Sequence, residues 1–158
     1  MARSERHRQQ QRLRERPTTR YTPEAQGFGI AGVLLDSDVV IEILRGRTRI
    51  SDALVATEGL GIPTYCSAIA WAEVTAGLRS GEETVTEAFF QARGEVVIDA
   101  ETGRRAGGYL SRYGKSHGVE IADALVAAAA STTGLHLWTL NHKHYPMDDI
   151  QFYGPHDK

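Results

Sequence analysis

Five carboxylates sit at positions where their type and spacing could do chemistry. "GVLLDSDVVIEILRGR", residues 32–47, carries Asp36 and Asp38 directly behind an apolar run. Glu73 lies among Ala70, Trp71, Ala72 and Val74, Asp99 follows "EVVI", and Asp123 leads an Ala-rich run. A polar stretch, "TLNHKHYP" (139–146), adds an Asn and two His. Asp38 and Asp99 also suit helix N-caps, and Asp123 suits a first helical turn, where the helix dipole favours negative charge. Glu73 is harder to place, because a charge on a largely buried helix is costly without a partner. Asp36, at the end of a buried strand, has few structural duties. Carboxylates sharing one pocket repel and raise each other's pKa unless a cation neutralises them. Mg²⁺ suits such a set: it prefers oxygen ligands, keeps several waters and commonly bridges one or two carboxylates to a phosphate. One or two such ions can activate water and stabilise charge on a phosphoryl group.

The surrounding pattern says what must position these groups. Gly29–Leu35 reads as a strand, followed by a helix over Asp38–Arg45 stopped by Gly46, and a second helix over Ser51–Glu58 ended by Gly59 and Gly61. Ile62–Cys66 is a second strand, and Ser67 caps a helix over Ala68–Leu78. Val85, Ala88, Phe89 and Ala92 fall on one helical face. Glu95–Ile98 is a third strand, Ala106, Tyr109, Leu110 and Tyr113 repeat the helical spacing, Asp123 opens a helix to about Thr132, and Leu135–Thr139 is a fourth strand. Strand and helix alternate, which argues for an α/β sandwich around a parallel sheet. In such a sheet the site lies outside the carboxyl ends of the strands, and all five acids fall near that edge.

A chain of 158 residues is long enough for one domain with a full core. Its charge of −2 hides an asymmetry: residues 1–20 hold seven Arg and two Glu, a net of +5, leaving −7 on the rest. Residues 1–28 therefore read as a basic, disordered extension with too little apolar surface to offset its ordering entropy, and 29–158 as the folded domain. The extension is read as solvated, as an arm holding nucleic acid by its phosphates, or as lying upstream of a true start near Val33. The one cysteine, Cys66, permits no internal disulfide and reads as a small buried side chain. The longest apolar stretch, Ala124–Ala130, is far shorter than a membrane span, and the Arg- and Gln-rich start does not resemble a signal peptide. A cytoplasmic protein with no membrane partner is expected.

Four segments, "LLDSDVVIEILRG" (34–46), "AIAWAEVTAGL" (68–78), "IADALVAAAA" (121–130) and "LWTLNHKHYP" (137–146), resemble in order and spacing the PIN-domain ribonucleases, and among them the VapC-type toxins of bacterial type II toxin–antitoxin pairs. The resemblance runs from Val33 to about Tyr153 and leaves out the basic head. It implies a PIN-like three-layer α/β/α sandwich with a central, mostly parallel sheet. It also implies a Mg²⁺-dependent endoribonuclease, with Mn²⁺ able to substitute, in which Asp36, Glu73 and Asp123 form the acidic triad around the metal. Asp38 holds the position of a polar residue supporting a metal-bound water, and Thr139 and Asn141 match the polar turn that closes the pocket. The slot three residues beyond Asn141, often an acid in the family, is His144 here, which puts tight binding of a second ion in doubt. The implied partners are an RNA substrate, a cognate antitoxin and a second copy of the chain in a homodimer. Arg45, Arg47 and Arg49, in "RGRTR", are placed to contact phosphates.

Other readings compete. "DSDVV" fits the D-x-D-x-[TV] pattern of haloacid-dehalogenase-like phosphatases, with Asp36 as nucleophile, although that family needs a Lys deep in the site and Lys occurs only at 115, 143 and 158. A PIN-fold module that binds RNA or protein without cutting is a second alternative. A zinc site on His142 and His144 is a third, with no Cys or further His recurring at ligand spacing.

Overall fold

A computed structural model describes residues 29–154. The basic extension, residues 1–28, and the last four residues lie outside the described residues, so the expectation of a disordered head does too. The chain alternates as read: β1 (Val33–Leu35), α1 (Ser37–Leu44), α2 (Thr48–Gly59), β2 (Thr64–Ser67), α3 (Ala68–Ala76), α4 (Glu83–Gln91), β3 (Gly94–Val96), α5 (Ala100–His117), α6 (Ile121–Thr133) and β4 (His136–Trp138), then a 3₁₀ turn, His142–His144. The four strands run parallel in the order β3-β2-β1-β4. Beyond β4, Phe152 adds one parallel bridge to Leu137.

Alternation along the strands divides the core. Val33, Leu35, Cys66 and Trp138 face a layer that includes Val39, Val40, Leu54, Ala70, Val74 and Phe90 from α1–α4. Leu34, Tyr65 and Leu137 face Ala106 and Tyr109 of α5 and the alanines of α6. Three layers result because successive side chains of a strand point to opposite faces, and both faces here are apolar. Cys66 is buried as expected, and burial pushes its thiol up to about 12, so it packs as an inert side chain.

Several boundaries move by a few residues. The first strand shrinks to three residues. Asp36, not Asp38, caps α1: it has extended backbone, and its side chain accepts from Ser37 N. The second helix begins at Thr48, and the last begins at Ile121 with Glu120 as its N-cap. Ser67 and Asp99 are the caps they were read to be. Asp99 accepts from Thr102 N and Thr102 Oγ1, both at 2.9 Å, and those bonds hold its carboxyl below the usual range. The larger correction concerns α3. It is not largely buried: only Ala70 and Val74 are, and Glu73 is exposed to solvent. A short helix on the outside of a layered sheet buries one stripe whatever its composition, so an apolar sequence did not imply burial all round.

The β2–β3 ladder needs Gly94. It pairs directly with Tyr65, and a Cβ there would overlap the Tyr65 ring. Gly94→Ala should therefore destabilise by about 1–3 kcal/mol, the usual cost of overpacking a core, read as a lower urea midpoint with an unchanged slope.

Candidate active site

β1 neighbours both β2 and β4, and the chain leaves it toward β2 while β4 returns on the other side. A crevice opens at such a switch point, outside the carboxyl ends of the two strands. Asp36 stands there: its N–H donates to Trp138 O at 3.0 Å, extending the β1–β4 ladder by one rung. Its side chain is 8% exposed. Oδ1 accepts from Ser37 N at 2.9 Å and Oδ2 accepts from the Tyr145 hydroxyl at 2.7 Å. Burial raises the Asp36 pKa; the hydrogen bonds oppose this, and the charge of Glu73 adds to it.

Asp38 is tied into the turn after β4. Its Oδ2 accepts from Leu140 N at 3.0 Å and from Thr139 Oγ1 at 3.3 Å, and its Oδ1 accepts from Val39 N at 2.6 Å. Burial and the neighbouring Asp36 charge push its carboxyl up to about 6. Thr139 is fully buried and also accepts from Asn141 N at 3.1 Å, so the polar turn and the β1–α1 corner form one hydrogen-bonded unit.

Asp123 is the third residue of α6. Its Oδ2 accepts from Glu120 N at 3.3 Å in a capping box, and its Oδ1 lies 3.7 Å from His144 Nδ1. His144 Nε2 in turn lies 3.0 Å from Asn141 Nδ2. The His144 ring thus bridges Asn141 and Asp123. The slot where relatives of this pattern often place an acid thus holds a group that leans on an acid instead. Tyr145, missed in the sequence reading, is 4% exposed and lies among the carboxylates. Burial and the charges of Asp36, Asp123 and Asp38 raise its pKa, so its hydroxyl is a donor at neutral pH. The only signal available for it was its place next to the polar turn, where an aromatic residue reads as core.

The expected residues divide clearly. Asp36, Asp38, Thr139, Asn141, His144 and Asp123 are linked through side-chain contacts at one edge of the sheet, and Glu73 acts on Asp36 from α3 through its charge. Among the described residues, no three His, Cys, Asp or Glu side chains converge closely enough to hold an ion by themselves. The donor set nevertheless fits Mg²⁺. It is all oxygen, its deepest carboxylate is bonded to neutral donors only while its charged neighbours share its sign, and Mg²⁺ completes its shell with water around one or two carboxylates. Zinc fits poorly: the His142 ring stacks on Phe152 at 4.4 Å while His144 turns to Asp123. The arginines divide as well. Arg45 and Arg47 both reach Glu42, at 3.6 and 2.7 Å, and remain mostly exposed, as does Arg49.

The PIN domain family model matches residues 33–150. The chain belongs to the PIN-domain family. Ribonuclease VapC10 of Mycobacterium tuberculosis is 37% identical over 119 residues, covering 73% of this chain and 86% of that protein. Ribonuclease VapC19 of the same organism is 32% identical over 120 residues, covering 75% and 96%. A DNA-bound VapBC complex from Salmonella typhimurium, 19% identical, aligns with a TM-score of 0.65 over 78% of this chain and 98% of its own, which bears out the PIN-like α/β sandwich. The phosphatase reading lapses with the family match, and also because Lys115 and Lys143 are both exposed while Asp149 is taken up by Tyr109 and Ser131. Among the described residues no helix is long and apolar enough to cross a membrane.

Proposed function

We propose that this PIN-domain protein is the toxin of a type II toxin–antitoxin pair, an endoribonuclease that hydrolyses RNA phosphodiesters with a divalent cation, Mg²⁺ or in its place Mn²⁺. The observation that carries the reading is Asp36: a nearly buried carboxylate at the β1–β4 switch point, held by Tyr145 and Ser37 and facing acids of its own sign. Asp36 and Asp123 would hold the ion most directly, with Glu73 and Asp38 assisting. A bound divalent ion supplies a more acidic water and charge neutralisation at phosphorus. Asp38 fixes the polar turn through Leu140 and Thr139, and His144, held by Asn141, turns its Nδ1 toward Asp123. α1 has eight residues, so Arg45, its C-cap, lies about 13 Å from Asp36 along the axis, and Arg47 follows after Gly46. There they can take the phosphates of a strand passing over the acids, with Arg49 beyond them.

The named relatives are ribonucleases, and the solved neighbours include toxin–antitoxin complexes; these support RNA as substrate and an antitoxin as partner. An antitoxin Arg offered to the acids would make charge-assisted bonds where the cation would otherwise sit. Val55, Leu60, Val85, Val97 and Ile121 are large apolar side chains left on the surface, of the kind a homodimer contact covers. A ribonuclease acting on cellular RNA would work in the cytoplasm.

The test is induced expression with sequencing of newly formed RNA 5′ ends, comparing the parent with Asp123→Asn. The Asn side chain can still accept from Glu120 N, so the helix start survives. New, reproducible ends with the parent and at least about 100-fold fewer with the variant are expected, since even groups behind the ligands of a metal site cost 10–100-fold. Equal new ends in both would remove Asp123 from the chemistry, and no new ends with the parent would favour a PIN fold that does not cut.

A further inference from the structure

We infer that Tyr145 is a positioning residue of the acidic site, its hydroxyl fixing the orientation in which Asp36 meets a divalent cation. The inference rests on the metal-dependent reading above and adds to it a side chain outside the acidic set.

A carboxylate has about four acceptor positions on two oxygens. Here Ser37 N donates to Oδ1 and the Tyr145 hydroxyl to Oδ2, with the Thr139 side chain as a further, lesser partner, and together they restrain rotation of the group. The first donor is the backbone of the next residue and moves with Asp36. The second comes from 109 residues away and fixes Asp36 against the rest of the fold.

Tyr145 is itself held firmly. Its N–H donates to His142 O at 3.0 Å at the end of the 3₁₀ turn, and its ring is buried. Met147 and Ile150, just beyond, are buried too, and Asp149 accepts from the Tyr109 hydroxyl at 2.6 Å and from Ser131 Oγ at 2.8 Å. The segment 145–150 is thus pinned on α5 and α6, and the hydroxyl is presented from a rigid support. An O–H···O⁻ bond of 2.7 Å is a strong, charge-assisted one. A phenylalanine would fill the same space without taking a polar group into the interior, so the hydroxyl is required only if Asp36 requires it.

The experiment is Mn²⁺ binding to the purified protein, followed by the loss of the electron paramagnetic resonance signal of free Mn²⁺, for the parent, Tyr145→Phe, Tyr153→Phe and Asp36→Asn. Tyr153 is the control: it also carries an internally bonded hydroxyl, but shares it with Thr57 on α2 at 3.0 Å and not with an acid. The expected result is a Kd for Mn²⁺ raised about tenfold or more in Tyr145→Phe, the usual cost of losing a partner behind a metal ligand, with Tyr153→Phe like the parent. Equal Kd values for Tyr145→Phe and the parent overturn the inference and leave the metal site standing. Equal weakening in both Phe variants also overturns it, since the effect would then be general loosening. If the parent takes up no more Mn²⁺ than Asp36→Asn, the metal reading fails and the inference falls with it.

Discussion

Asp36→Asn should abolish RNA cleavage and relieve any growth arrest the protein causes, while the folded protein melts at a higher temperature than the parent in metal-free buffer. Both effects have the same origin. Asp36 is buried with its pKa raised by desolvation, so the fold disfavours its charged form. Asn removes the charge with almost no change of shape. Its Oδ1 still accepts from Ser37 N, so α1 keeps a cap of equal quality. The Tyr145 hydroxyl can turn to accept from Nδ2. What is lost is the anionic oxygen, and for a group expected to ligate directly the loss of rate should exceed the 10–100-fold seen for groups behind a ligand. Cleavage at the parent rate by pure, folded Asp36→Asn would remove Asp36 from the chemistry, and a lower melting temperature would contradict the account of its buried charge.

The fold was legible because alternation of apolar runs and helical faces is a statement about layers, and the layers formed as that alternation requires. The edge on which the acids gather followed from topology alone. What the sequence hid was of three kinds. Asp36 and Asp38 are both Asp beside a helix start, and choosing the cap between them depends on backbone angles that composition does not encode. Glu73 sits in an apolar segment whose burial depends on how α3 lies on the sheet, a tertiary fact. Tyr145 was hidden for a third reason: its role needs a contact with a residue 109 positions away, and nothing local marks it.

In metal-free buffer the protein should become less stable as pH rises from about 4 to about 7, and divalent cation should reverse this. Burial and the Asp36 charge push Asp38 up to about 6 from its ordinary 3.8, and Asp36 is raised as well. Between those values the folded state binds more protons than the unfolded one, so the free energy of unfolding falls with rising pH. A shift of about two units corresponds to on the order of 3 kcal/mol for Asp38, lost between pH 4 and somewhat above 6. Asp99, with its pKa lowered, works in the opposite sense but only below its ordinary value, whereas His136, whose pKa burial lowers from 6.5, opposes the trend inside this window, so the net fall requires the two carboxyls to outweigh it. A cation bound to the folded state alone adds about 2.7 kcal/mol at 100 times its Kd, or about 8 °C for a chain of this size. The gain should be larger near pH 7 than near pH 4, where protons compete with the cation for the carboxylates. Thermal unfolding at several pH values, with and without Mg²⁺, reads both trends. Asp38→Asn should flatten the metal-free slope by removing one of the two acids whose pKa is raised. A melting temperature that climbs from pH 4 to 7 without metal would mean that these carboxylates are stabilised in place by the protein itself, and the electrostatic case for a cation at the β1–β4 crevice would lose its basis.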